Sequence, residues 1–212
     1  MEKSQVRILK EVEMANPVFV DLTSHPGSPI HAVGQMLLER SRAEKVGELY
    51  SPYFSDYVIS GNSGLCHLPR LEFYASARVS PNLLILLGEQ HANPEEVYAY
   101  YDVAETALDH GVLQGCRTFA SCAVFRSRRV EDRIYVAATT SDEAASLAEK
   151  LGSKPFSLGR IVGQMGPLLG LAKTRSFRVI CILGSLKGGP EDGAMASILF
   201  DGLVKALELT IV

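Results

Sequence analysis

The sequence predicts an α/β fold, a mixed sheet with helices packed on its faces, and three observations carry that expectation. Short β-rich runs alternate with helical patterns along the chain. Two of the runs, LLILL at 83–87 and VICIL at 179–183, are apolar without interruption. Strands buried on both faces have that composition, so both are expected mid-sheet. Between 46 and 77 strand patterns succeed one another with no helix between them, and GNSG at 61–64 reads as a hairpin turn. Part of the sheet is therefore expected to be antiparallel.

Taken in order, strands are expected at 6–12, 18–22, 46–50, 57–60, 71–77, 83–87, 118–124, 134–139 and 178–183. The first helix, 29–43, has Ser28 as N-cap and Pro29 at its first position, so one orphan N–H is satisfied and another omitted. A second, 94–109, repeats the device with Asn93, places Glu95 and Glu96 in its first turn, and has Gly111 just past its end. The third, 142–151, starts from Ser141 and stops at Gly152. The last, 192–207, has apolar residues at 195, 198, 199, 203, 204 and 207, one face of a 3.6-residue period.

With 47% hydrophobic residues in 212, one substantial core can form, and a single α/β domain over residues 1–212 is expected. Lysine and arginine total 21 against 24 acidic residues, a net charge of -3. No basic field is available to hold nucleic acid. Cys66, Cys116, Cys122 and Cys181 lack the short spacing of a zinc or redox motif. Those in apolar strand runs are expected to act as small buried hydrophobes. The N-terminus, MEKSQVRILKEVEMANP, is charged and has no apolar signal core. No apolar run approaches the roughly 20 residues of a membrane span, so a soluble cytoplasmic protein is expected.

In open α/β sheets ligands bind at loops beyond the strand carboxyl ends. Here those loops carry Asp21 and His25 after the second strand, and Glu89 and His91 after LLILL. A histidine beside a carboxylate suits acid-base work on a small, nucleoside-type molecule, so these four residues define the enzyme alternative. No G-x-S-x-G elbow is present, and the five histidines have no H-x-x-x-H or H-E-x-x-H spacing, so neither a serine nucleophile nor a metal is expected.

GRIVGQMGPLLGLAK, at 159–173, gathers Gly159, Gly163, Gly166 and Gly170. It lacks the lysine of a Walker loop and the preceding strand of a dinucleotide fingerprint, so no nucleotide cofactor is expected. Its glycine spacings of four, three and four instead mark one stripe of a helix. Pro167 divides it into a tight loop followed by a helix, with Gly163, Gly166 and Gly170 expected to be buried against protein. Arg70 and Glu72 in LPRLEFYASAR share one face of a strand, as a solvated edge pair or a salt link across a subunit contact.

AEKVGELYSPYF at 43–54, LPRLEFY at 68–74, LLILLGEQ at 83–90, the glycine stretch at 159–173 and ILGSLKG at 182–188 occur in a familiar order. With these segments the chain resembles the proteasome assembly chaperone family, in its archaeal and bacterial branch of stand-alone single-domain proteins. The resemblance implies a three-layer, phosphorylase/hydrolase-like α/β fold with a mixed central sheet flanked by helices. It also implies a non-enzymatic, protein-binding homo-oligomer acting on proteasome subunits or assembly intermediates. Some members end in a hydrophobic residue, a tyrosine and any residue, a tail that docks between proteasome subunits. The corresponding partner-binding residues here are Thr210, Ile211 and Val212, with Ile211 where the tyrosine stands.

Overall fold

The computed structural model describes residues 2–60, 64–88, 97–126, 133–157, 159–162, 165–188 and 193–211. Their strands are β1 (Gln5–Ile8), β2 (Val18–Asp21), β3 (Glu44–Tyr50), β4 (Ile59–Ser60), β5 (Cys66–His67), β6 (Leu71–Ser76), β7 (Leu83–Leu87), β8 (Thr118–Arg126), β9 (Ile134–Ala138), β10 (Lys154–Pro155) and β11 (Arg178–Leu186). Their helices are α1 (Pro29–Ser41), α2 (Val97–Leu113), α3 (Ser141–Leu151), α4 (Met165–Thr174) and α5 (Met195–Leu207). One nine-stranded sheet runs β1-β3-β6-β7-β2-β8-β11-β9-β10, and β4 with β5 forms a separate two-stranded ribbon.

The centre of the large sheet is parallel: β2 pairs in parallel with β7 and β8, and β8 with β11. β1, β3 and β6 are joined to it antiparallel, and β9 pairs antiparallel with β11. The apolar runs at β7 and β11 both have strand neighbours on two sides, and every residue of β7 is buried. The ribbon departs from expectation. Its strands do pair antiparallel, Ile59 opposite His67, but outside the main sheet, while residues 61–63 of the turn lie outside the described residues.

Helices cover both faces. In β2, Phe19 and Asp21 point one way and Val18 and Val20 the other. The Phe19 face lies under α2 and α4: Gly111 of α2 packs on the Phe19 and Phe119 rings, and Ser121 Oγ lies 3.4 Å from Met165 Sδ of α4. The opposite face carries α1, α5 and α3: Gly34 of α1 packs on Leu87, and Gly184 of β11 on Met195 of α5. Under α2 the core is aromatic, with Phe19 5.4 Å from Phe119 and 6.2 Å from Phe73 between ring centroids.

Local chemistry explains the helix ends. Ser28 Oγ accepts the His31 N–H at 3.0 Å and starts α1. The third helix is capped one residue earlier than expected, by Thr140, whose hydroxyl accepts the Glu143 N–H. Gly152, at φ 59, ends it in the left-handed region. Asn93 and Pro94 lie outside the described residues. The other end of α2 corrects the expectation that it stops at Asp109. It continues to Leu113, so Gly111 is inside the helix, where a Cβ would meet Phe19 Cδ2 at 2.7 Å. Its place is set by close packing, and Gly115, at φ 90, takes the terminating role. α4 begins at Met165, two residues before Pro167, whose missing N–H falls among the first-turn groups that have no intrahelical partner. Among the described residues no helix is long and apolar enough to cross a membrane.

Candidate functional site

A polar cleft opens beside the antiparallel edge. Glu48 of β3 and Glu72 of β6 are register partners, so their side chains lie together on the α1 side of the sheet. Lys45 Nζ donates to Glu48 Oε1 at 2.7 Å and to Glu72 Oε1 at 2.5 Å. Arg70 Nε reaches the same two oxygens at 3.1 Å and 2.9 Å. Tyr50 and Tyr74 hydroxyls donate to the second oxygens, at 2.8 Å to Glu48 and 2.6 Å to Glu72. Arg70 and Glu72 therefore belong to a closed, charge-balanced lattice within one chain, more than the solvated edge pair of the sequence reading. With His31 and Gln35 of α1 and His67 of β5 they line a cleft of about 290 Å³.

Burial acting alone would raise the Glu72 pKa, yet hydrogen bonds from Lys45, Tyr74 and Arg70 reverse it and bring it down to about 2. Burial and the Glu72 carboxylate push Tyr74 well above its ordinary value, so its hydroxyl remains a donor. Glu72 is thus a charge-assisted acceptor at every physiological pH. Glu72→Gln is expected to cost about 1.5–3 kcal/mol at pH 7, the range of a hydrogen bond to a charged group. The folded chain binds the proton more weakly than the unfolded one, so this contribution is present above 4.5 and fades as pH falls toward 2. Urea denaturation at pH 7 and pH 3 checks it, and an equal cost at both values contradicts the assignment.

The groups of the enzyme alternative are not brought together among the described residues. Asp21 is fully buried at the end of β2, with Oδ1 accepting the Thr23 N–H at 2.9 Å and Oδ2 without a hydrogen-bond partner among the described residues. Burial raises its pKa to about 6, against the opposing Thr23 hydrogen bond. His25 is exposed, and its Nδ1 lies 3.0 Å from the Pro26 carbonyl. No hydrogen bond links the two. Glu89 and His91 lie outside the described residues. No group of three His, Cys, Asp or Glu residues among the described residues is placed to hold a metal.

The glycine stretch is corrected in part. Gly163 lies outside the described residues, and Gly166 is a close approach, since a Cβ there would stand 2.6 Å from the Ile161 carbonyl oxygen. Gly170 is exposed with open space around it, and Gly159 is an exposed loop residue at φ 134. α4 buries Met165, Leu168, Leu169 and Ala172, so its glycine stripe lies off the packed face. Spacing identified the stripe but not the direction it faces.

At the C-terminus Leu209 is buried, the Thr210 N–H donates to Ser80 O at 2.8 Å, and Ile211 packs on the core. Thr210 itself is exposed, and Val212 lies outside the described residues. The tail is tied to its own domain up to Ile211. A surface that the sequence reading missed lies at the start of α2. Val97, Tyr98 and Tyr101 are 66%, 62% and 49% exposed, and Tyr98 meets Tyr53 edge to face at 6.0 Å. Beyond Tyr53 the chain exposes Tyr57 and Val58. Large apolar groups gathered at a surface mark a contact site, and tyrosine favours protein interfaces because it buries much area at low entropy cost. The aromatic run VYAYY at 97–101 was the available signal.

The mixed sheet between two helical layers defines the class, a three-layer α/β protein. A family model described as the PAC2 family matches residues 27–212, and the chain belongs to that family. It is 25% identical over 211 residues to an uncharacterized protein of Methanocaldococcus jannaschii, covering 97% of this chain and 80% of that one. Among solved structures it matches Pyrococcus furiosus PbaB, an archaeal proteasome activator, with a TM-score of 0.86 and 25% identity, over 100% of this chain and 92% of that one. Pyrococcus furiosus PbaA, an archaeal homolog of proteasome-assembly chaperone, matches at a TM-score of 0.75 and 20% identity, over 99% and 88%. A proteasome-assembly chaperone homologue of Mycobacterium tuberculosis matches at 0.68 and 10%, over 92% and 87%. The last two likenesses concern the fold alone.

Proposed function

We propose that this chain is a non-enzymatic, cytoplasmic, single-domain homo-oligomer that binds proteasome subunits or their assembly intermediates. The observation that carries the proposal is the exposed tyrosine surface around Tyr98, on a chain whose fold is that of PbaB. Separation of the buried Asp21 from the exposed His25 supports a role without catalysis. The tyrosine surface is the partner-binding element. Thr210 and Ile211 contribute less to it, because their backbone and side chain are engaged within the chain.

Capture of the tagged protein from its native host, read by mass spectrometry, tests the proposal. Proteasome subunits are expected with the wild type, and recovery is expected to fall about tenfold or more with Tyr98→Asp combined with Tyr101→Asp, as for the loss of an interface anchor. Removal of residues 210–212 is expected to leave most of the capture in place. Repeated recovery of an unrelated complex without proteasome subunits sinks the proposal. Light scattering on the same samples reports the subunit number, and a monomer contradicts the oligomeric part.

A further inference from the structure

We propose that a cavity at the end of α1 binds a phosphoryl group carried by a small molecule. The cavity, of about 110 Å³, is lined by Arg40, Arg42 and Arg78 together with Ser41 and Val79. No carboxylate lines it among the described residues. Arg42 makes no ion pair or side-chain hydrogen bond among them, and Arg40 only stacks on the Phe200 ring, 5.2 Å from its centroid. Arg78 is 3.9 Å from Glu44, whose nearer partner is Lys10. Three guanidiniums thus converge without close neutralisation on a chain of net charge -3. All three are exposed, so an anion can reach them and be held by three charges at once.

The α1 dipole accounts for part of this arrangement, since cations near a helix C-terminus are favoured. It explains Arg40 and Arg42 but not Arg78, which comes from the connection between β6 and β7. Helix ends elsewhere in the chain sharpen the contrast. Arg42 and Glu208 both occupy left-handed C-cap positions, at φ 50 and 54. Glu208 has Lys150 as its ion-pair partner, whereas Arg42 faces the cavity with none among the described residues.

A guanidinium fork matches phosphate oxygens two at a time, and arginine stays charged at all working pH values. A phosphate dianion answers three positive charges better than a single carboxylate does. A second cavity of about 260 Å³ shares Arg42 and Arg78 with the first and adds Lys10, beside Glu11 and Glu44. A diphosphate can span the two, so pyrophosphate is expected to bind more tightly than phosphate.

Titration calorimetry at constant ionic strength, with inorganic phosphate, pyrophosphate and citrate, tests the site. Saturable pyrophosphate binding, tighter than phosphate and with citrate weaker than both, is the expected result. Arg42→Ala and Arg78→Lys are each expected to weaken pyrophosphate about tenfold, the loss of a charge-assisted hydrogen bond. Arg78→Lys keeps the charge and removes only the fork, so a folding defect does not obscure it. Arg160→Gln, a change at an exposed residue elsewhere in the chain, is expected to leave binding unchanged. Absence of saturable binding at millimolar pyrophosphate overturns the proposal, as does equal binding by Arg42→Ala or preference for citrate or an acidic peptide.

Discussion

Phe19→Ala is expected to destabilise the protein by about 3–5 kcal/mol, the cost of a deleted core aromatic together with the cavity it leaves. Phe19 is fully buried in the middle strand of the sheet, and its ring touches those of Phe73 and Phe119 from the two sides. Above it runs the backbone of α2 at Gly111, whose absent side chain lets the helix sit down on the ring. The two positions are therefore coupled. Gly111→Ala in the wild type forces a methyl within 2.7 Å of Phe19 Cδ2, and such overpacking costs about 1–3 kcal/mol. In the Phe19→Ala background much of that clash has gone, so the added cost of Gly111→Ala is expected to fall. Urea denaturation of the four proteins measures the coupling, and simple additivity contradicts the packing described.

Asp21→Asn is expected to raise stability by about 3 kcal/mol at pH 8 and to change it little at pH 3.5, a difference set by the proton on a buried carboxyl. Burial lifts the folded pKa from 3.8 to about 6, so between these values the folded chain holds the proton that the unfolded chain has lost. Stability from this group is complete below 3.8 and is lost as pH rises through 6. Asparagine never acquires the charge, so its advantage appears only on the alkaline side. His110 acts in the opposite sense. Buried against the Phe73 ring at 4.4 Å, it has its pKa lowered to about 4, so the unfolded chain binds the proton first and stability is lost as pH falls from 6.5 toward 4. Between about 4 and 6 the two trends offset one another. The Asp21→Asn protein is therefore expected to lose stability on acidification more steeply than the wild type. Chemical denaturation across pH 3.5–8 decides the matter, and a constant difference between the two proteins rules out the assignment.

Much of the fold was legible because periodicity and composition report burial. LLILL and VICIL are interior strands because a segment covered on both faces has no polar side to show. Ser28, Pro29 and Gly152 mark helix ends through local hydrogen bonding and backbone freedom, which require no distant partner. Gly111 was misplaced for the complementary reason. A glycine near the end of a helical pattern has the same local appearance whether it terminates the helix or admits an aromatic ring, and the ring that decides between them is 92 positions away in Phe19.

The candidate sites were less legible. LPRLEFY shows that Arg70 and Glu72 share a strand face, yet their partners Lys45 and Glu48 enter from another strand through a register that includes an irregularity at Lys45 and Gly47. Asp21 and His25 look like an acid-base pair when only four positions separate them, whereas folding buries one carboxylate under α4 and leaves the imidazole in solvent. The sequence by itself determined the class of fold, the interior strands, several of the helix ends and the family segments, since each depends on short-range pattern and on which residues water excludes. Only the tertiary structure decided where Gly170 faces, how the Glu48 and Glu72 lattice closes, where the tyrosines gather and how Arg78 joins Arg40 and Arg42. Those outcomes depend on strand register and helix rotation, which are set by packing between segments far apart in the chain.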